Sequence, residues 1–118
     1  NKFKESEWIE QIIVVGEGEK FVGALIVPCY PVLLKWLKEK NSLLERKEEI
    51  LNSQEVIQQY YEIIISYNQF FNPVEQIKKF ELIAEEWCIE KGELTPKLSM
   101  KRKVIMEKHQ TLVQNIYQ

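Results

Sequence analysis

The stretch EQIIVVGEGEKFVGALIVP limits the possible folds of this chain more than any other segment. It holds two runs rich in β-branched residues, Ile12 to Val15 and Phe21 to Val27, separated by a short Gly/Glu segment. The simplest arrangement is an antiparallel hairpin. A strand with one wet face alternates apolar and polar residues, whereas these runs are apolar at nearly every position. Their sheet is therefore expected to be covered on both faces.

Helical spacing dominates the middle of the chain. Pro28 and Pro31 end the second strand, and Val32, Leu33, Trp36 and Leu37 then fall on one side of a helix with lysines opposite. Ser42 and Glu45 have capping-box spacing, which predicts a second helix starting at Ser42. Further on, Ile57, Tyr60, Tyr61, Ile64, Tyr67 and Phe71 form the stripe of a long helix, and Asn72-Pro73 with Glu75 starts a short one. Phe80, Leu82 and Ala84 alternate with polar or charged neighbours, as in a third strand with a wetter face. From about residue 100, Ile105, Leu112 and Ile116 share the face of a last helix. The fold class is α/β of the α+β kind: about three strands, a hairpin plus one more, packed with several helices.

A length of 118 residues, 45% of them hydrophobic and 29% charged, suits one globular domain. The net charge of −2 gives no bulk attraction to nucleic acid or anionic lipid, so electrostatic contacts must be local. Cys29 and Cys88 are too few for a disulfide framework and lack metal-type spacing; they are expected to be buried or unreactive thiols in a reducing compartment. No apolar run is long enough to span a bilayer, which favours a cytoplasmic location or a peripheral one at a membrane. The opening NKFKESEWIEQ reads as the middle of a longer protein.

Four features could carry chemistry. GEGEK at 16–20 lacks the Gly-Lys-Ser/Thr of a phosphate loop, and its glutamates would repel phosphate, so it is a turn. His109 has no neighbouring Ser, Cys or carboxylate that would complete a catalytic set, and a structural or surface role is expected. The aromatic series Tyr60, Tyr61, Tyr67, Phe70 and Phe71 has the period of a core stripe. The fourth is the segment GELTPKLSMKRKVI, with Lys97, Lys101, Arg102 and Lys103. Ser99 would cap the last helix and put Lys101 in its first turn, where the helix dipole disfavours a cation. A lysine in that position, beside free backbone N–H groups, suits a phosphate or carboxylate. The plain alternative is a solvated basic loop.

Together QIIVVGEGEKFVGALIVP and FELIAEEWCIEKGELTPKLSMKRKVIMEKHQTLVQNIY resemble the C-terminal domain of long-chain fatty acid CoA ligases, members of the AMP-forming acyl-CoA synthetase superfamily. The resemblance implies that residues 1–118 are a mobile lid, with the N-terminal adenylation core and the hinge lying upstream. It also implies a reaction in which ATP and a fatty acid give an acyl adenylate and pyrophosphate, and CoA then displaces AMP. ATP, CoA and Mg²⁺ would serve the whole enzyme, with none bound tightly by this segment and no metal site in it. The partners implied are the N-terminal adenylation domain, fatty acid, ATP and CoA, with no nucleic acid.

In that superfamily a C-terminal loop lysine bridges the carboxylate and the α-phosphate during adenylation. Against a Pro-Lys-Thr-x-x-Gly-Lys motif, Pro96 and Lys97 match the start and Lys101 the catalytic end, with one residue fewer between them. Against Thr-Pro-Thr-Leu-Lys-Leu-Lys-Arg, the first lysine is Ser99 here and the second is Lys101. The resemblance thus implies Lys101 as the catalytic residue, with Lys97 as the alternative. A competing reading of the same residues is a non-enzymatic α/β interaction module whose basic loop binds an acidic partner.

Overall fold

The computed structural model describes residues 2–118. A 3₁₀ turn at Lys2–Glu5 leads into strand β1, Ile9–Val15, which pairs antiparallel with β2, Val22–Pro28. The turn between them is closed by the Glu19 N–H donating to the Gly16 carbonyl at 2.9 Å. Helices α1 (Tyr30–Glu39), α2 (Lys47–Asn52) and α3 (Gln54–Asn68) follow, then a 3₁₀ turn at Pro73–Glu75 and strand β3, Ile77–Leu82. Strand β3 runs parallel to β2, giving the order β1-β2-β3 with the most apolar strand in the centre. The chain ends in α4 (Arg102–Lys108) and α5 (Gln110–Ile116). Among the described residues no helix is long and apolar enough to cross a membrane.

Strand β2 and the Ile12–Val15 part of β1 are apolar throughout because each face of the sheet carries its own core. Successive side chains of a strand point to opposite faces. On one face Ile12, Ala24 and Ile26 pack with Leu33 and Leu37 of α1, Ile50 of α2, and Val56, Tyr60 and Ile64 of α3. On the other, Ile13, Val15, Leu25 and Val27 pack with Trp87, Ile105 of α4 and Ile116 of α5. A β-bulge between Ile9 and Gln11 shifts the register, so Ile9 joins the same core as Ile12. Strand β3 is an edge, and Lys78 and Lys79 on it are exposed, which discourages pairing with another chain.

Two buried amides extend the sheet where backbone partners run out. Asn68, at the end of α3, donates from Nδ2 to the Ile77 carbonyl at 2.9 Å and accepts from the Ile77 N–H at 3.0 Å. Gln11 treats Trp87 in the same way, donating to its carbonyl at 2.9 Å and accepting from its N–H at 2.7 Å. Each side chain therefore acts as one more rung of a β-ladder. A buried backbone group left without such a partner would cost about 1–3 kcal/mol.

Some local expectations give way to tertiary structure. Ser42 does not start a helix. The Ser42 N–H bonds to the Leu37 carbonyl and the Asn41 N–H to that of Lys38, with Asn41 at φ 59°, so both residues terminate α1 in a Schellman motif. The Ser42 hydroxyl accepts from the Leu44 N–H, and α2 begins at Lys47. In the aromatic stripe Tyr60 is fully buried, and Tyr67 and Phe71 pack against the core, but Tyr61 and Phe70 are exposed. The inner face of α3 is the line Val56, Tyr60 and Ile64. Cys29 and Cys88 are both free and half-buried.

Strand β2 approaches its neighbours most closely at Gly23. A Cβ there would lie 2.8 Å from Cγ2 of Ile116 and 3.2 Å from the Lys79 carbonyl oxygen. Gly23→Ala should therefore destabilise the fold by about 1–3 kcal/mol through overpacking between the sheet and α5. Urea denaturation of the two proteins measures it, and an unchanged midpoint would mean that α5 moves away freely.

Candidate functional site

The basic segment folds into a small hairpin. Leu94 and Met100 form an antiparallel bridge, the Thr95 N–H bonds to the Ser99 carbonyl at 2.8 Å, and the Leu98 N–H closes the turn onto the Thr95 carbonyl at 2.8 Å. Leu98 has φ 66°, a left-handed conformation that costs a residue with a Cβ about 1–2 kcal/mol. Its side chain is nevertheless exposed.

Ser99 is consumed by this hairpin. Its N–H donates to Thr95 Oγ1 at 3.1 Å and its carbonyl accepts from Thr95, so it caps no helix. The cap position of α4 belongs to Lys101, whose carbonyl accepts the first helical bond from the Ile105 N–H at 3.1 Å. Lys101 thus stands at the threshold of α4, one residue before its first turn. The expected continuous last helix also divides, with His109 ending α4 and starting α5.

The cations sort into two groups. Arg102 donates from its guanidinium to the Val14 carbonyl at the end of β1, and Lys108 is ion-paired with Glu93; both hold the fold together. Lys97, at the hairpin tip, Lys101, at its base, and Lys103 are exposed. Among the described residues their ammonium groups have no ion-pair or hydrogen-bond partner. Of Lys97 and Lys101, only Lys101 has its backbone pinned on both sides, by the Glu93 carbonyl (2.8 Å from its N–H) and by Ile105.

Glu93 is the residue that sequence patterning missed. Its side chain is 1% exposed, although it lies in a run that reads as a polar turn. The turn from Cys88 to Glu93 folds back on itself: the Glu93 N–H bonds to the Cys88 carbonyl at 3.1 Å, and Glu93 Oε1 accepts from the Cys88 N–H at 3.1 Å. Gly92, at φ 74°, supplies the left-handed step this reversal needs. Burial alone would raise the Glu93 carboxyl, but hydrogen bonds from Lys108 and from the Cys88 N–H outweigh it and hold the group below the usual carboxylate range. No sequence signal marked it, because its partner Lys108 lies 15 residues away.

His109 is structural, as expected. Its Nε2 accepts from the indole N–H of buried Trp87 at 2.9 Å, fixing the junction of α4 and α5 against the loop that follows β3. Burial, reinforced by the nearby Lys108 charge, lowers its pKa. Among the described residues no group of three or more His, Cys, Asp or Glu side chains is placed to hold a metal ion.

The structure is thus a three-stranded mixed sheet with helices on both faces and a lysine-bearing hairpin leading into the last helices. Residues 1–118 match the family model described as the AMP-binding enzyme C-terminal domain, and the chain belongs to that family. It is 30% identical over 111 residues to the long-chain-fatty-acid–CoA ligase FadD15 of Mycobacterium tuberculosis, covering 92% of this chain and 18% of that protein. It is 27% identical over 120 residues to the human long-chain-fatty-acid–CoA ligase 1, covering 99% of this chain and 17% of that protein. The chain thus spans less than a fifth of the length of these curated relatives. The same fold occurs in the adenylation domain of a carboxylate reductase from Mycobacterium chelonae, with a TM-score of 0.77 at 15% identity over 98% of this chain and 16% of that one.

Two titrations should make the fold sensitive to acid. Both pKa values are lower folded than unfolded, so each contribution is complete above the ordinary value and is lost as pH falls through the folded one. For His109 the loss begins below about 6.5, because a proton on Nε2 would oppose the Trp87 N–H; for Glu93 it begins below about 4.5. His109→Gln keeps an acceptor that does not titrate. It should flatten the stability–pH curve just below about pH 6.5 and leave the fall below about pH 4.5. Chemical denaturation across that range is the measurement, and an unaltered curve would dismiss His109 as the upper titration.

Proposed function

We propose that this chain is the mobile C-terminal lid of a long-chain fatty acid CoA ligase, and that Lys101 is the lysine it lends to the adenylation half-reaction. The family match and the two ligase relatives support the enzyme class. The assignment of Lys101 is carried by its station, an exposed ammonium on a backbone fixed at the base of the hairpin.

Adenylation joins a fatty acid carboxylate to the α-phosphate of ATP with loss of pyrophosphate. Two anions must meet, and negative charge spreads over the phosphoryl oxygens as they do. An ammonium already held in place stabilises that charge without reorganising at the moment of reaction. Lys101 meets this requirement better than Lys97, which sits on the outer turn of the hairpin. In this reading the N-terminal adenylation domain holds ATP, Mg²⁺ and the acyl chain. The lid swings away after the first step and presents another face for CoA, so that one domain serves both half-reactions.

In the whole ligase, Lys101→Ala should slow fatty-acid-dependent ATP–pyrophosphate exchange by about 10²–10³-fold, the scale of losing one preorganised charge. Thioester formation from supplied acyl adenylate should stay within about threefold, because that step does not use the charge. Lys97→Ala should leave both half-reactions nearly intact. The opposite pattern would transfer the role to Lys97. The isolated 118 residues should turn over no ATP, and turnover by them would refute the lid reading.

A further inference from the structure

Glu93 is a charged side chain buried at the base of the hairpin. A buried carboxylate contributes little to stability over a well-packed apolar side chain, because desolvation offsets the attraction to its partner. Its placement therefore invites a functional account. Four bonds converge on this residue: its carboxylate accepts from the Cys88 N–H and from Lys108 Nζ, its N–H donates to the Cys88 carbonyl, and its own carbonyl accepts from the Lys101 N–H. Lys108 lies on α4, whose cap position is Lys101. Glu93 thus holds both ends of the same lever, the backbone of Lys101 directly and the far end of α4 through Lys108. Met100, paired with Leu94 next to Glu93, completes the base of the hairpin.

We infer that Glu93, with Lys108, is a positioning residue for Lys101, fixing where the ammonium projects when the lid closes for adenylation. This rests on the assignment of Lys101 above. Glu93 touches no substrate. It acts by setting the direction in which the hairpin leaves the domain, and a displacement of about 1 Å at a reacting group is enough to cost about 10²-fold. A positioning role differs from a merely structural one in being confined to the half-reaction that uses Lys101.

The test uses the whole ligase and measures the two half-reactions separately. Glu93→Gln retains an oxygen for the Cys88 N–H but gives up the charge facing Lys108. It should lower kcat for adenylation about 10–100-fold, with KM for ATP and fatty acid and the rate of thioester formation from supplied acyl adenylate within about twofold. Lys108 is partly exposed and less disruptive to replace: Lys108→Met should reproduce the defect and Lys108→Arg should largely rescue it. In a Lys101→Ala background Glu93→Gln should add no further loss, because both act through one group. Equal slowing of both half-reactions, or a full additional loss in the Lys101→Ala background, would overturn the positioning role. A normal adenylation rate in Glu93→Gln and Lys108→Met, with Lys101→Ala defective, would overturn it while sparing Lys101. A normal rate in Lys101→Ala would overturn both.

Discussion

The fold depends on burying the two faces of one strand. Residues 24–27 of β2 alternate between two cores, with Ala24 and Ile26 facing α1, α2 and α3 while Leu25 and Val27 face Trp87, α4 and α5. Each fully buried aliphatic side chain contributes about 1.5–3 kcal/mol, so neither helical layer can be removed without exposing a large part of the total. The close approach at Gly23 is one result, since Ile116 of α5 occupies the space a side chain there would fill. The parallel pairing of β3 is another. The long connection through α1–α3 covers one face before the chain returns beside β2, leaving the other face for the residues after Leu82.

The lysine hairpin is built out from that second core. Leu94 and Ile105 belong to it, and between them the chain makes a single excursion into solvent. Hydrogen bonds of the hairpin, the guanidinium of Arg102 on β1, and the Glu93–Lys108 pair hold the excursion at its base. The basic character of the segment therefore has two origins, with Arg102 and Lys108 committed to architecture and Lys97, Lys101 and Lys103 left to solvent. Charge counting treats the five alike. Their different partners give the segment a rigid base and an exposed rim.

Much of the architecture was legible in the sequence because it follows from periodicity. The uninterrupted apolar runs at 12–15 and 21–27 required a sheet covered on both sides, and the helical spacing of Leu33 with Leu37 and Tyr60 with Ile64 marked the layer over one of them. The segment bearing Lys97 and Lys101 was legible as a motif. The Asn72-Pro73 start was legible too, whereas the two serine caps were not, and for one reason: a serine's hydrogen-bonding groups can be claimed by whichever element reaches them first. Ser42 was claimed by the end of α1 and Ser99 by the hairpin, though both had suitable spacing for the helix that follows. Tyr61 is turned about 100° around α3 from the buried line of Val56, Tyr60 and Ile64, and Phe70 lies beyond the helix end.

The sequence by itself determined the hairpin, the two-faced sheet, the amphipathic helices and the family, because each is written in local pattern or residue order. Tertiary structure alone decided the direction of β3, the ladder-completing roles of Gln11 and Asn68, the break at His109 and the burial of Glu93. Those depend on polar groups finding partners far along the chain: Gln11 and Trp87 are 76 residues apart, and Glu93 and Lys108 are 15 apart. A polar side chain carries no periodic sign of being buried. It becomes an interior residue only when folding brings its partner within reach, and that is why the support beneath Lys101 is visible in three dimensions and hidden in one.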